Sequence, residues 1–264
     1  MSDAYTPHSG DPSFDVTSYD LEIDYRVRTN RLTGRAVIDA VAAQPVRSFF
    51  LDLVGLRASR VRVDGDRRTT FRQGPRGLRV SPAAPLAAGE RFSIEVTYAG
   101  APSPRRTRWG TIGWEELDDG SLVASQPIGA PTWFPCNDRP DDRARYRISV
   151  QTDAAYTPVA TGVRVAGGRS GGTTTAVFES RVPTATYLAA VHVGEYRRIS
   201  LKGPVPVEVA HPAALAAEVR DAFSAVPRML ETFQRLFGPY PQETCTLVVT
   251  ADELEIPLEA QGLA

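Results

Sequence analysis

Apolar and polar residues alternate along most of the N-terminal three quarters of the chain. From Tyr19 to Val27 every second residue is apolar, and each residue between is Asp, Glu or Arg. This period of two predicts a β-strand with one face in a core and the other in water. Similar short segments recur between Gly- and Pro-rich turns, and no stretch before residue 205 has a sustained helical period. The pattern predicts a mainly β fold, with antiparallel sheets packed as a sandwich or saddle.

The pattern changes after residue 205. Apolar residues from Leu215 to Phe237 recur at steps of three or four, which predicts one amphipathic helix of about 25 residues. Pro227 is expected to kink this helix, and Gly238 to end it. Residues 244–250 then predict a buried strand. We therefore expect a flexible leader over 1–14, a β domain over 15–200 and the start of a second domain over 201–264.

Composition narrows the class of protein without revealing its chemistry. The 264 residues carry 30 basic and 31 acidic side chains, so the sequence predicts no nucleic-acid partner. The two cysteines are more than a hundred residues apart, which suits a reducing compartment and predicts a cytoplasmic protein. No apolar run approaches the roughly 18 residues that span a bilayer, so no membrane partner is expected.

Most known catalytic patterns are missing from the sequence. The three histidines, at positions 8, 192 and 211, lack the HExxH spacing that brings two imidazoles onto one helical face. For His192 and His211 we expect a structural or exposed role rather than metal ligation. Adjacent acidic pairs point in different directions and are expected to be solvated loop charges; they are Glu115-Glu116, Asp118-Asp119 and Asp141-Asp142.

Two segments have unusual composition. Residues 126–140 hold four prolines, two aromatic residues and Cys136; they could form a packed connection between strands or part of a site. Residues 253–264 place Glu259 two positions after Pro257, directly following the expected strand. On composition alone, this second segment reads as an acidic edge strand.

Taken in order, five segments resemble a known family. SYDLEIDY, SQPIGAPTWFPCNDRPDDRARY, AAVHVGEY, FGPYP and IPLEAQGLA are similar to the zinc aminopeptidases of the aminopeptidase N family, peptidase family M1. The resemblance runs from about residue 15 to the last residue. It implies a saddle-shaped N-terminal β domain followed by the truncated start of a thermolysin-like α/β catalytic domain.

The resemblance also implies substrate-binding residues. Glu259 falls on the glutamate of the family's GAMEN motif, which grips the free α-amino group of a peptide. Gln126 falls where the family places a second Glu or Gln that shares this ammonium. Pro257 and Leu258 would offer backbone groups to the bound peptide. Ile256 and Ala260 depart from the motif.

The family's zinc ligands follow this motif, and the 264 residues contain no HExxH. We therefore expect zinc in the full-length family member and none bound by this chain, which should not hydrolyse peptides alone. Its expected partners are a peptide with a free N-terminus and the remainder of the catalytic domain. The helix ending at Phe237 would then have a bare apolar face, predicting self-association or protease sensitivity beyond residue 205.

The leading hypothesis is the N-terminal part of a zinc aminopeptidase that removes N-terminal residues from peptides. The alternative is a non-catalytic β-sandwich module that binds peptide termini or a protein partner.

Overall fold

The computed structural model describes residues 5–254 and 258–264. Within them the chain is mainly β, as predicted, and its helices lie near the C-terminus. The strands are β1 (Phe14–Arg26), β2 (Arg31–Ala42), β3 (Phe49–Asp52), β4 (Arg57–Val63), β5 (Thr70–Gly74), β6 (Gly77–Ser81), β7 (Arg91–Gly100), β8 (Arg105–Thr107), β9 (Gly110–Leu117), β10 (Gly120–Ala124), β11 (Arg143–Asp153), β12 (Thr157–Ala160), β13 (Val163–Ser170), β14 (Thr173–Ala185), β15 (Val191–Gly194), β16 (Tyr196–Leu201), β17 (Val207–Pro212) and β18 (Cys245–Val248), and the helices are α1 (Ala216–Ala222) and α2 (Val226–Phe237).

A seven-stranded sheet forms the frame of the β domain, in the order β13-β14-β11-β1-β2-β7-β4. Its pairs are antiparallel except for β1 with β11, where Tyr19 lies opposite Tyr146. The apolar residues of β1 are buried and alternate with more exposed polar ones, so the period of two in the sequence is confirmed.

Three smaller sheets complete the described structure, in the orders β12-β15-β10-β9-β8, β16-β17-β18 and β3-β6-β5. Aromatic side chains of β1 contact one of these sheets, at Trp114 of β9, and the Pro-rich segment, at Phe134. The Tyr25 ring meets Trp114 edge-on at 4.7 Å between centroids, and Tyr19 meets Phe134 at 5.4 Å. The core therefore includes the Pro-rich segment that contains Phe134.

The single long helix expected over 213–237 is wrong. The structure has α1 and α2, separated by residues 223–225, and Pro227 is the second residue of α2. Proline lacks an N–H and its ring clashes with the carbonyl four residues earlier, whereas both are harmless in the first helical turn. Pro227 therefore starts a helix instead of kinking one.

Two further expectations can be compared with the described strands. Strand β18 is half-buried, where the sequence predicted a buried strand. The domain boundary near residue 200 stays a prediction; residue 200 itself lies inside β16, which pairs with β17.

The N-terminal segment is attached to the domain from Tyr5 onward, where the sequence predicted a flexible leader. The Trp109 indole N–H donates to the Tyr5 hydroxyl at 2.6 Å, and the two ring centroids lie 4.9 Å apart. The Gly10 N–H donates to Asp52 at 2.9 Å. The Asp11 carboxylate accepts the N–H groups of Ser13 at 2.9 Å and Phe50 at 2.7 Å. The aromatic contact at Tyr5 and side-chain acceptors close to free backbone donors together anchor this segment.

Candidate substrate-binding site

The Pro-rich segment 126–140 is a packed connection over most of its length. Trp133, Phe134, Cys136 and Asn137 are fully buried. The Asn137 side chain donates to Asp142 at 2.7 Å and accepts the backbone N–H of Asp11 at 2.7 Å. The segment therefore ties the N-terminal residues to the start of β11.

Asp138 of this segment lies beside a second buried acid, Asp52. The backbone N–H of Asp138 donates to the Asp52 carboxylate at 3.3 Å, and Thr186 donates its hydroxyl to Asp138 Oδ1 at 2.6 Å. Asp138 Oδ2 is buried without a hydrogen-bond partner. Burial, together with the charge of Asp52, raises the pKa of Asp138 to about 8. Burial also raises the pKa of Asp52 to about 6, so the pair holds a proton near neutral pH.

The expectation of a solvated acidic pair is wrong for Asp142. Its carboxylate is buried and accepts the Val16 N–H at 3.0 Å. Burial raises its pKa to about 6. Asp141 instead forms an exposed ion pair with Arg139 at 2.8 Å, so only one of the two neighbours is a surface charge.

The C-terminal segment contacts the same region at a short 3-10 turn, Thr186–Leu188, which lies between β14 and β15. Thr186, at the start of this turn, contacts Asp138 of the Pro-rich segment. The carbonyl of Leu188, at its end, accepts the N–H of Gln261 at 3.2 Å. The two unusual segments of the sequence therefore reach opposite ends of one turn.

Residues 260–264 return alongside β18. The Thr246 N–H donates to the Gly262 carbonyl at 3.0 Å, and the Ala264 N–H donates to the Thr246 carbonyl at 2.9 Å. Gly262 has a φ of +73°, a left-handed conformation that glycine adopts without strain. Glu259 comes just before this turn in the chain.

Glu259 and Leu258 line a cavity of about 410 Å³, a size typical of small-molecule sites. Glu259 is exposed, and the rest of the wall is mostly apolar. The other lining residues are Leu122, His192, Phe223, Leu247, Val248, Val249, Thr250, Leu254 and Ala264.

The structure does not bring all the predicted site residues together. Gln126 is exposed and is not among the described residues that line this cavity. Pro257 lies outside the described residues, as does Ile256. Of the four predicted site residues, Leu258 and Glu259 therefore share the cavity.

His192 is a cavity residue to which the sequence assigned only a structural role. It is 3% exposed, and neither ring nitrogen has a hydrogen-bond partner. Burial lowers its pKa to about 4. The signal in the sequence was a histidine between Val191 and Val193 in an apolar run. His211 differs, because its Nδ1 lies 2.8 Å from the Pro212 carbonyl oxygen.

The described residues do not fit a metal ion. Among them, no three His, Cys, Asp or Glu side chains are grouped in a way that could hold one. Nor does any helix in the described part of the chain have the length and apolar character needed to cross a membrane.

Comparisons with known proteins agree with the architecture. The family described as Peptidase M1 N-terminal domain matches residues 16–188. Endoplasmic reticulum aminopeptidase 1 of Rattus norvegicus is 24% identical over 93% of this chain and 28% of its own length. Leucyl aminopeptidase of Saccharolobus solfataricus is 23% identical over 72% of this chain and 23% of its own length.

Solved structures of an M1 zinc metallopeptidase superpose on this chain. The M1 zinc metallopeptidase of Deinococcus radiodurans superposes with a TM-score of 0.89 and 28% identity, over 97% of this chain and 61% of that one. A mutant of that enzyme has been solved with a Tyr-Ser-Ala substrate. This chain thus spans about 28% of its first curated relatives and about three fifths of the solved enzyme. Because the family match covers most of the chain and the fold agrees throughout, the chain belongs to the M1 peptidase family and contains its N-terminal domain.

Proposed function

We propose that this chain is the part of an M1 zinc aminopeptidase that recognises the free N-terminus of a peptide. The observation that carries the proposal is the exposed carboxylate of Glu259 beside an apolar cavity. A carboxylate next to apolar walls suits a ligand with an ammonium at one end and a side chain beside it.

Glu259 would accept hydrogen bonds from the α-amino group. A hydrogen bond to a charged group contributes about 1.5–3 kcal/mol, which corresponds to roughly 10- to 150-fold in affinity. Leu258 and Pro257 are proposed to offer backbone groups to the peptide. Gln126 remains the proposed second acceptor of the ammonium.

The proposed reaction of the full-length protein is hydrolysis of the first peptide bond with a zinc ion, which would polarise the scissile carbonyl and activate water. Relatives named as zinc metallopeptidases support this reaction class. The described residues hold no suitable ligand group, so the role proposed for this chain is to bind and orient the substrate.

The test compares L-leucinamide with its N-acetyl derivative by calorimetric titration. We expect the free amine to bind at least about 10-fold more tightly, and Glu259→Gln to remove most of that difference. Glu253→Gln is the matched control, because Glu253 is exposed in the same segment but does not line the cavity. Equal binding of the two ligands by the unmodified chain would refute the role of Glu259.

The second candidate is a non-catalytic module that binds peptide termini or a protein partner. Exposed apolar side chains on α2, including Phe233 and Phe237, favour this alternative. Chelator-sensitive release of amino acids by the longest natural form of the protein would support the aminopeptidase. Binding of peptide termini by that form without hydrolysis would support the module.

A further inference from the structure

The outer face of the three-stranded sheet β3-β6-β5 carries arginines. Phe50 of β3 lies opposite Arg79 of β6, which in turn lies opposite Arg72 of β5. Residues directly opposite each other on neighbouring strands share a face. Their chain neighbours Leu51 and Leu78 are fully buried in the core. Because successive side chains of a strand point to opposite faces, Phe50, Arg72 and Arg79 lie on the outer face.

A third arginine joins this face from the turn between β5 and β6. The guanidinium carbons of Arg76 and Arg79 each lie 5.8 Å from the centroid of the Phe50 ring, which is within the range of a cation–π attraction. Arg76 also donates to the His8 carbonyl at 3.2 Å. All three arginines are exposed. We call Arg72, Arg76 and Arg79 the arginine face.

Within the described residues, no carboxylate forms an ion pair with the arginine face. Two acids of the neighbouring segments are bound to backbone N–H groups instead. The Asp11 carboxylate accepts the N–H of Phe50 at 2.7 Å. The Asp52 carboxylate accepts the N–H of Gly10 at 2.9 Å. The three guanidinium groups therefore keep N–H donors that a ligand can use.

Two of these charges are arranged unfavourably for the fold alone. Arg72 and Arg79 lie directly opposite each other, and like charges in that position destabilise a sheet. A ligand that brings carboxylates to the face relieves this repulsion. It also meets planar guanidinium groups, whose paired N–H donors match the two oxygens of a carboxylate.

The surroundings of the arginine face favour an acidic protein segment over a membrane or a nucleic acid. Surfaces that dock on bilayers combine basic residues with apolar side chains that enter the lipid. Surfaces that bind single-stranded nucleic acids add aromatic rings on which bases stack. Among the described residues, none of the large exposed apolar side chains comes from β3, β5 or β6. Phe50 is half-buried, with two guanidinium groups over its ring.

We infer that the arginine face is a docking surface for an acidic segment of another protein. Asp or Glu side chains of that segment pair with Arg72, Arg76 and Arg79. None of the three arginines is among the described residues that line the cavity of Glu259. The inference therefore does not depend on the proposed function.

The test measures binding of fluorescently labelled N-acetyl-octaglutamate to the 264-residue chain by fluorescence anisotropy at pH 7.5 and low salt. The acetyl group removes the free amine that Glu259 is proposed to bind. We expect binding that weakens as the salt concentration is raised, and no binding of N-acetyl-octaserine. The double variant Arg72→Gln with Arg79→Gln should weaken binding roughly 2- to 25-fold, the range of two exposed ion pairs.

A charge reversal separates this role from a purely structural one. Arg79→Glu places a carboxylate opposite Arg72, and opposite charges in that position stabilise a sheet. We expect this variant to unfold at a higher urea concentration than the unmodified chain and yet to bind octaglutamate more weakly. Unchanged binding by the folded variant overturns the inference. If Arg79→Glu does not fold, the two glutamine substitutions decide.

Arg164→Gln with Arg169→Gln is the matched control, because it removes the same charge from exposed positions of β13; it should leave binding unchanged. An equal loss in this control shows attraction by net charge alone and overturns the inference. The same holds if octaglutamate does not bind at low salt, or if phosphatidylserine vesicles or oligothymidylate bind more tightly than octaglutamate. Each of these results leaves the role of Glu259 untouched.

Discussion

At the scale of single residues, the most unusual feature is the buried pair Asp52 and Asp138. A carboxylate removed from water is strongly disfavoured unless it is paired with a cation or fully hydrogen-bonded. Asp138 Oδ2 has no hydrogen-bond partner, and the pKa of Asp138 is raised to about 8 by burial first and by Asp52 second. The protonated carboxyl is therefore the form that the fold prefers.

This preference predicts how stability depends on pH. A carboxyl group whose pKa is raised in the folded state contributes fully to stability below its ordinary pKa, near 3.8 for Asp138. The contribution is lost as the pH rises through about 8. The asparagine side chain of Asp138→Asn is neutral at every pH. The free energy of unfolding should fall between pH 5.5 and pH 8.5 in the unmodified chain. In Asp138→Asn we expect this fall to be smaller by roughly 1–3 kcal/mol.

Urea denaturation at the two pH values measures this difference. Asp141→Asn is the control, because Asp141 lies nearby but forms an exposed ion pair with Arg139; it should leave the pH dependence almost unchanged. An Asp138→Asn variant as pH-dependent as the unmodified chain would show that the buried pair ionises freely in the fold.

At the scale of elements, helix α2 has an apolar face that nothing in the described structure covers. Met229, Phe233, Leu236 and Phe237 are each at least half exposed, and Phe237 reaches 83%. Their spacing of three and four residues places them on one side of the helix. The bare apolar face expected from the sequence is therefore present, although on a helix that begins at Val226.

We expect this face to cause self-association, because contact between two copies would remove apolar rings from water. The double variant Phe233→Glu and Phe237→Glu should shift sedimentation of the chain toward the monomer at micromolar concentration. Glu231→Gln with Arg235→Gln changes the opposite, polar face and should leave association unchanged. A strictly monomeric unmodified chain would contradict the prediction.

At the scale of the whole molecule, two distant parts of the sequence converge on one turn. The Pro-rich segment reaches Thr186 through Asp138, and the C-terminal segment reaches Leu188 through Gln261. The β domain therefore acts as a support that fixes the segment carrying Glu259 beside the cavity.

If the chain has the substrate-binding role proposed above, and since its described residues offer no group that could hold a metal, it should not catalyse hydrolysis. We expect the 264-residue chain, supplied with zinc, to release no p-nitroaniline from leucine p-nitroanilide above the uncatalysed rate, because no described group of side chains can hold the metal. Release that a chelator abolishes would contradict this expectation. A zinc-loaded M1 aminopeptidase in the same assay provides the positive control.

Sequence patterns predicted the elements that depend on the order of polar and apolar residues along the chain. Strand β1 follows from the alternation between Tyr19 and Val27, since one face of a strand must be buried. Short edge strands such as β5 and β8 were missed, because Arg and Gly residues at a sheet edge show no clear alternation. The predicted kink at Pro227 is wrong, because a proline can interrupt one helix or lie in the first turn of the next.

The sequence by itself determined the mainly β class, the position of the helical part and, through the order of five segments, the resemblance to M1 aminopeptidases. Only the tertiary structure decided that Asp138 is buried beside Asp52, and that His192 faces the cavity of Glu259. The physical reason is that alternation is set by neighbours along the chain. Burial, pKa and shared cavities are set by contacts between residues such as Asp52 and Asp138, which lie far apart in the sequence.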